Sequence, residues 1–176
     1  LALDSVGRRT EAIQLLSEAK KTGTDPLGVL AGRLKRRWLA ERRRVDAEQA
    51  LSLYRQALDL SKGKNAAQAF YHAINCAFME LAFGSDVTAA RDYARRALDY
   101  CEASGANDVW RHATEGEAHL YLGETEGALL AYQRAMSRSP KLWQAASMYQ
   151  QAVRAADLMG DEELGTRLPK MFGQPL

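Results

Sequence analysis

Apolar positions recur along this chain in fours and threes rather than in twos. Ala128 is followed by Tyr132 four residues on, by Ala135 three further, and by Pro140 after another five. The four-and-three pattern returns at Ala90, Ala94 and Ala97, at Ala50, Tyr54 and Ala57, and at Ala12, Leu16 and Ala19. The leading alanines stand 38, 40 and 38 residues apart. This is helical periodicity repeated in register, which marks an array of similar helical units. Small residues at the first and third positions let two helices approach closely. The larger middle residue fills the groove between neighbouring hairpins.

The rest of the pattern supplies the partner helices. Residues 1–20 read as the tail of one helix, a corner at Gly7, and a second helix that Thr10 caps. Residues 22–26 form a loop in which Asp25 and Pro26 cap and start a helix to Arg44. Leu27, Leu30, Leu34 and Trp38 mark its buried face. Helices over 46–60, 66–83, 87–103, 109–122 and 125–138 follow, divided by turn residues at 62–65, 84–86, 105–108 and 123–124. Pro140 opens a helix to Met159 with Leu142, Ala146, Tyr149, Val153 and Ala156 inward, and a last helix covers 162–171 before Gly173 and Pro175. A hairpin of this kind cannot bury both faces alone. The expected fold is therefore all-α, a single domain over 1–176 in which about four hairpins, some truncated, stack into a right-handed solenoid. The repeat exceeds the usual length of about 34 residues for such units, and longer helices and turns account for the excess. The chain starts inside a helical pattern without Met, which reads as a piece of a longer protein.

Composition narrows the classes. Hydrophobic residues make up 47% and charged residues 26% of 176, a globular balance. A net charge of +2 argues for neither nucleic acid nor a membrane surface. No apolar run nears the roughly 18 to 20 residues of a membrane helix. Cys76 and Cys101 fit reduced thiols of a cytoplasmic protein better than a disulfide framework.

The second-helix pattern resembles that of tetratricopeptide (TPR) repeats. GRLKR at 32–36, YHAINCA at 71–77 and WRHATEGEA at 110–118 extend the likeness over about residues 26–158. Together they resemble the TPR-like TRAF-binding domain of the apoptosis signal-regulating MAP kinase kinase kinases and its bacterial relatives. The resemblance implies a TPR-like α-solenoid used for protein contacts and regulation, without kinase activity. The Ala- and Arg-rich composition points to a bacterial member.

In ordinary TPR geometry the first helices line a concave groove. Their register places Lys35, Arg36, Tyr71, Asn75, Phe78, Trp110, Thr114, Glu117, Tyr121, Gln151 and Arg154 there. Rings with isolated polar groups suit a peptide or helix partner, although Tyr71, Phe78 and Trp110 can equally pack between repeats. Asn75, in an apolar helix, either caps a neighbouring loop or reads a ligand backbone. The Lys and Asn pair of a chaperone-carboxylate clamp is missing, because Leu39 follows Lys35 and Phe78 follows Ile74. The expected function is thus a non-catalytic scaffold that binds a peptide, a helix or a sister subunit. Trp143 and Met148 are candidates for a homodimer patch.

The alternative is binding of nucleic acid or an acidic partner through the basic helix 33–44, which carries Arg33, Lys35, Arg36, Arg37, Arg42, Arg43 and Arg44. A solvated face near acids is the plainer reading of that helix, and nucleic acid is the less favoured partner. His112, Glu115 and His119 share a helix face, but their spacing is not that of a zinc site. No metal, no cofactor and no catalytic constellation is expected.

Overall fold

The computed structural model describes residues 24–173, together with the helical residues Glu11, Gln14 and Leu15. Gly7, Thr10 and the first set of anchors, Ala12, Leu16 and Ala19, lie outside the described residues, as does Pro175. From Thr24 onward the fold is an all-α, TPR-like helical repeat, with no strand among the described residues. The helices are α1 (Thr24–Glu41), α2 (Arg44–Ser61), α3 (Ala66–Ala82), α4 (Val87–Ser104), α5 (Val109–Leu122), α6 (Thr125–Met136), α7 (Leu142–Met159) and α8 (Glu162–Met171).

Sequence neighbours pair into hairpins, α1 with α2, α3 with α4, α5 with α6 and α7 with α8, and each hairpin packs on the next. The repeating alanines explain how. Ala50, Ala57, Ala90, Ala94, Ala97, Ala128 and Ala135 have no exposed surface, and Tyr54 and Tyr132 fill the space beside them. The first two hairpins use helices of 17 or 18 residues, whereas α5 and α6 have 14 and 12. The extra repeat length therefore resides in the helices of the first two hairpins.

Caps set several boundaries as the sequence implies. Asn65, Asp86, Asp108 and Asp161 each accept a hydrogen bond from a backbone N–H three residues ahead, at 2.9 to 3.0 Å. Gly123 ends α5 with φ of 81°, a left-handed turn that glycine adopts without a Cβ penalty.

Other boundaries differ from the sequence reading. The helix expected to reach Arg44 stops at Glu41, because Arg42 turns left-handed at φ 56° and a new helix begins at Arg44. No Gly or Pro announces this corner. At the other end α1 already includes Thr24, so Asp25 stands inside the helix instead of capping it. Pro140 does not open α7. Ser139 adopts φ 53°, Lys141 is the N-cap and the helix starts at Leu142. The inner stripe of α7 holds in part, with Ala156 buried and Tyr149 and Val153 packed against the core. Leu142 is 91% exposed, and the buried positions are Met148, Ala152, Ala155 and Ala156. Pro169 lies inside α8.

Two contacts fix the spacing of the stack. Gly116 in α5 lies under the Tyr132 ring, and a Cβ there would stand 2.8 to 2.9 Å from three ring atoms. At the start of α2, Asp46 is 1% exposed and accepts hydrogen bonds from Nε and Nη2 of Arg37, both at 2.6 Å. This bond holds the Arg37 guanidinium pKa above its usual value. The last helix is fastened by Phe172, whose ring meets those of Tyr132 and Tyr149.

Candidate functional site

The odd-numbered helices share one side of the stack, and α1 meets α3, α3 meets α5, and α5 meets α7. The curvature is tight enough that α3 also touches α7 directly, across a whole hairpin. This concave side holds a cleft of about 340 Å³. Helical spacing brings residues to it from each wall. Gly32, Lys35 and Arg36 come from α1, and Tyr71, Ile74 and Asn75 from α3. Trp110, Thr114 and Glu117 come from α5, and Trp143, Met148 and Gln151 from α7. Tyr54 and Tyr132 reach in from the second helices.

A polar row crosses the floor. The Lys35 ammonium donates to Asn75 Oδ1 at 2.7 Å and lies 5.0 Å from the centre of the Phe78 ring. Asn75 Nδ2 donates to the Tyr71 carbonyl at 2.8 Å. On the opposite wall Glu117 Oε1 accepts from Gln151 Nε2 at 3.0 Å and from the Tyr121 hydroxyl at 2.5 Å. Lys35 and Glu117 attract each other across the gap. One helical turn further along lies a second cleft of about 320 Å³, lined by Trp38, Arg42, Phe78, Arg154, Asp157 and Leu158. The two clefts follow one another along the concave groove.

Burial sets the electrostatics of the row. Desolvation lowers the Lys35 pKa to about 8, Glu117 partly opposes this, and Arg36 and Arg154 add to it. Burial raises the Glu117 pKa, against the hydrogen bonds from Tyr121 and Gln151 and the charge of Lys35. A stability prediction follows for Lys35. Below about pH 8 it is protonated in the folded and the unfolded chain, and its burial cost is constant. Between there and the ordinary value of 10.5 the unfolded chain holds more protons, so stability rises with pH. Urea unfolding of the protein against Lys35→Met, from pH 7 to 10, should show the stability difference moving in favour of the native chain over that window. A flat difference would contradict the buried ammonium.

The structure brings together Lys35, Arg36, Tyr71, Asn75, Trp110, Thr114, Glu117 and Gln151, as the register implies. Phe78 and Arg154 line the second cleft instead, with the Phe78 ring 1% exposed beneath Lys35. Tyr121 has no exposed surface and reaches the cleft only through its bond to Glu117, so it supports the site without facing an occupant. Asn75 neither caps a loop nor stands free, because its amide holds Lys35 and its own helix. Tyr71 is 43% and Trp110 39% exposed, so each packs and presents a face at once. Sequence reasoning assigned Tyr54 and Tyr132 wholly to packing and missed their place at the cleft. It also missed Gly32, although a glycine one turn before Lys35 is a signal of close approach. Trp143 is 61% exposed but turns to the cleft, where its ring meets that of Trp110 at 5.9 Å. Met148 is buried and cannot serve a dimer patch.

The basic stretch 33–44 is not one helix and presents no single face. Arg33 is buried, and Lys35 and Arg36 line the first cleft while Arg42 lines the second. Arg37 and Arg43 face Asp46, and Arg44 pairs with Glu48 at 2.8 Å. The histidines also diverge. His112 Nδ1 bonds Glu115 and its Nε2 bonds Asn107, whereas His119 bonds Glu124. Among the described residues no group of His, Cys, Asp and Glu is arranged to hold a metal ion, and no helix is long and apolar enough to cross a membrane. Burial pushes the Cys76 and Cys101 thiols up to about 12, which makes them poor nucleophiles.

The repeating hairpins and the cleft between their first helices define a TPR-like helical array. Residues 1–80 match the family model described as Tetratricopeptide Repeats-Sensor. The chain is similar to that family over this part, which supports a TPR-like origin and, with it, a scaffold for protein contacts. No curated protein matches the chain.

Proposed function

We propose that this chain is a non-catalytic regulatory module that makes protein contacts and whose concave cleft is the recognition surface. One observation carries the reading. Four helices from successive hairpins converge two cations and three partly exposed rings on one cleft. Aromatic faces give contact area at low entropic cost, and placed polar groups give orientation. The three stretches that resemble the TRAF-binding domain, 32–36, 71–77 and 110–118, supply three of the four walls. That coincidence supports a regulatory role within a larger signalling protein. The matched family's description as a sensor agrees with it.

The volume of the cleft, about 340 Å³, narrows the possible occupants to short ones. A helix with its side chains is about 10 to 12 Å across, which is large for a cleft of this volume. A tip, a turn or a small group fits.

Trp110→Ala combined with Tyr71→Ala tests the assignment. The double variant should keep its helical circular dichroism and lose at least tenfold in affinity for the partner recovered with the native chain. Undiminished binding by the folded variant would place the contact elsewhere on the array.

A further inference from the structure

The occupant's chemistry can be read from the cleft, given the recognition role proposed above. Its volume of about 340 Å³ falls at the small end of the range of about 300 to 1,000 Å³ typical of small-molecule pockets. Asn75 and Glu117 of the polar row are buried while Tyr71, Trp110 and Trp143 are well exposed, so the row is taken as the floor and the rings as the mouth. The floor is cationic. Lys35 spends one of its three N–H groups on Asn75. Arg36 is exposed in the same cleft. A second, independent feature also points inward. Tyr54 has no exposed surface, lines the cleft, and its hydroxyl makes no hydrogen bond of good geometry, facing the Tyr71 hydroxyl above Gly32. A buried hydroxyl without a well-made bond is costly, and a ligand oxygen relieves it. The mouth is aromatic, with Trp110 and Trp143 in contact at 42° and Trp143 61% exposed.

We propose that this cleft binds a free small molecule composed of a flat ring and an acidic group, a carboxylate or a phosphate. The acid lies on Lys35, Arg36 and the Tyr54 hydroxyl, and the ring lies against Trp110 and Trp143. Each part answers an observation: the charge offsets two cations brought together at the floor, the ligand oxygen completes Tyr54, and the ring covers exposed indole. Glu117 stands on the far side of the floor, held by Tyr121 and Gln151, and restricts the acid to the Lys35 and Arg36 side. Arrival of an anion also favours the charged form of Lys35, which burial otherwise disfavours.

Tryptophan fluorescence of the whole chain gives the test, with 2-naphthoate and phenyl phosphate as probes. Uncharged 2-naphthamide, inorganic phosphate and a capped Trp-Glu dipeptide serve as comparisons. Saturable quenching by both acids is expected, at least tenfold tighter than by the amide or by inorganic phosphate. Lys35→Met and Arg36→Gln should each weaken the acids at least tenfold and leave the amide unchanged. Circular dichroism confirms that each variant is folded, and Arg36→Gln, at an exposed position, carries the test if Lys35→Met does not fold. Equal binding of acid and amide, equal loss of both in the variants, or no quenching would overturn the proposal. Tighter binding of the dipeptide than of either acid would overturn it too, and assign the cleft to a partner's segment. Loss of small-molecule binding alone leaves the partner assay with Trp110→Ala and Tyr71→Ala to stand or fall by itself.

Discussion

Tyr132→Ala is expected to lower the unfolding free energy by about 4 kcal/mol, the upper part of the range for truncating a buried ring. For a chain of this length that is a fall in melting temperature on the order of 10 °C. Tyr132 is 2% exposed and sits at a junction. It covers Gly116 of α5, it is one of the residues that keep α6 in register, and its ring meets Phe172 at the end of the chain. Truncation removes the contact of three helices at once and leaves a void that backbone spacing prevents from closing. The glycine beneath it gives a sharper test. Gly116→Ala puts a methyl within 2.9 Å of three ring atoms and should cost about 2 kcal/mol by overpacking. In the Tyr132→Ala background the clash is gone, and alanine's better helix propensity should reverse the sign, to a gain of up to about 1 kcal/mol. Urea unfolding of the four proteins measures this. Additive effects would mean that the ring does not rest on the glycine.

The second large effect is expected at Asp46→Ala, a loss of about 3 kcal/mol or more. The carboxylate is buried at the first turn of α2, where a negative charge also complements the helix N-terminus. Its two hydrogen bonds with Arg37 join α1 to α2 across the unmarked corner at Arg42. Removing it strands a guanidinium whose side chain is only 14% exposed. The damage comes from the unpaired charge more than from the lost attraction, so replacing both partners by apolar residues, Arg37→Met with Asp46→Leu, should recover much of the loss. Arg44→Gln, which breaks an exposed pair with Glu48, should change stability by well under 1 kcal/mol. Equal losses in the buried and exposed pairs would refute the argument from burial.

Both predictions concern places where local pattern and tertiary contact meet, and they show what each contributed. Ala128, Tyr132 and Ala135 were legible as a buried set because the packing of adjacent helices needs small residues at fixed spacing. Leu27, Leu30, Leu34 and Trp38 were legible for the same reason, and all four are buried. Asp86 and Asp108 announced helix starts because a cap acts within three residues of itself. The corner at Arg42 was not legible. Its left-handed turn uses a residue with no local preference for it, and the buried Asp46 stands ready to pair with Arg37 on the far side.

The cleft was legible as a face and not as a cavity. Helical register alone put Lys35, Tyr71, Asn75, Trp110 and Glu117 on one side, because side chains three and four apart share a helix face. It could not tell that Phe78 and Arg154, one turn on, belong to a separate cleft. Nor could it tell that Tyr121 faces inward or that Trp143 leans on Trp110. Those outcomes depend on the curvature of the stack, which small differences in packing between hairpins accumulate. The sequence by itself determined that the chain is an all-α array of hairpins and which face of each first helix is concave, since both follow from periodicity within one helix. Only the tertiary structure decided that the concave face carries two clefts and that Asn75 holds Lys35 between them. Both depend on contacts between helices far apart in the chain, α3 with α7 about 75 residues away and Lys35 with Asn75 40 residues away, beyond the reach of any local pattern.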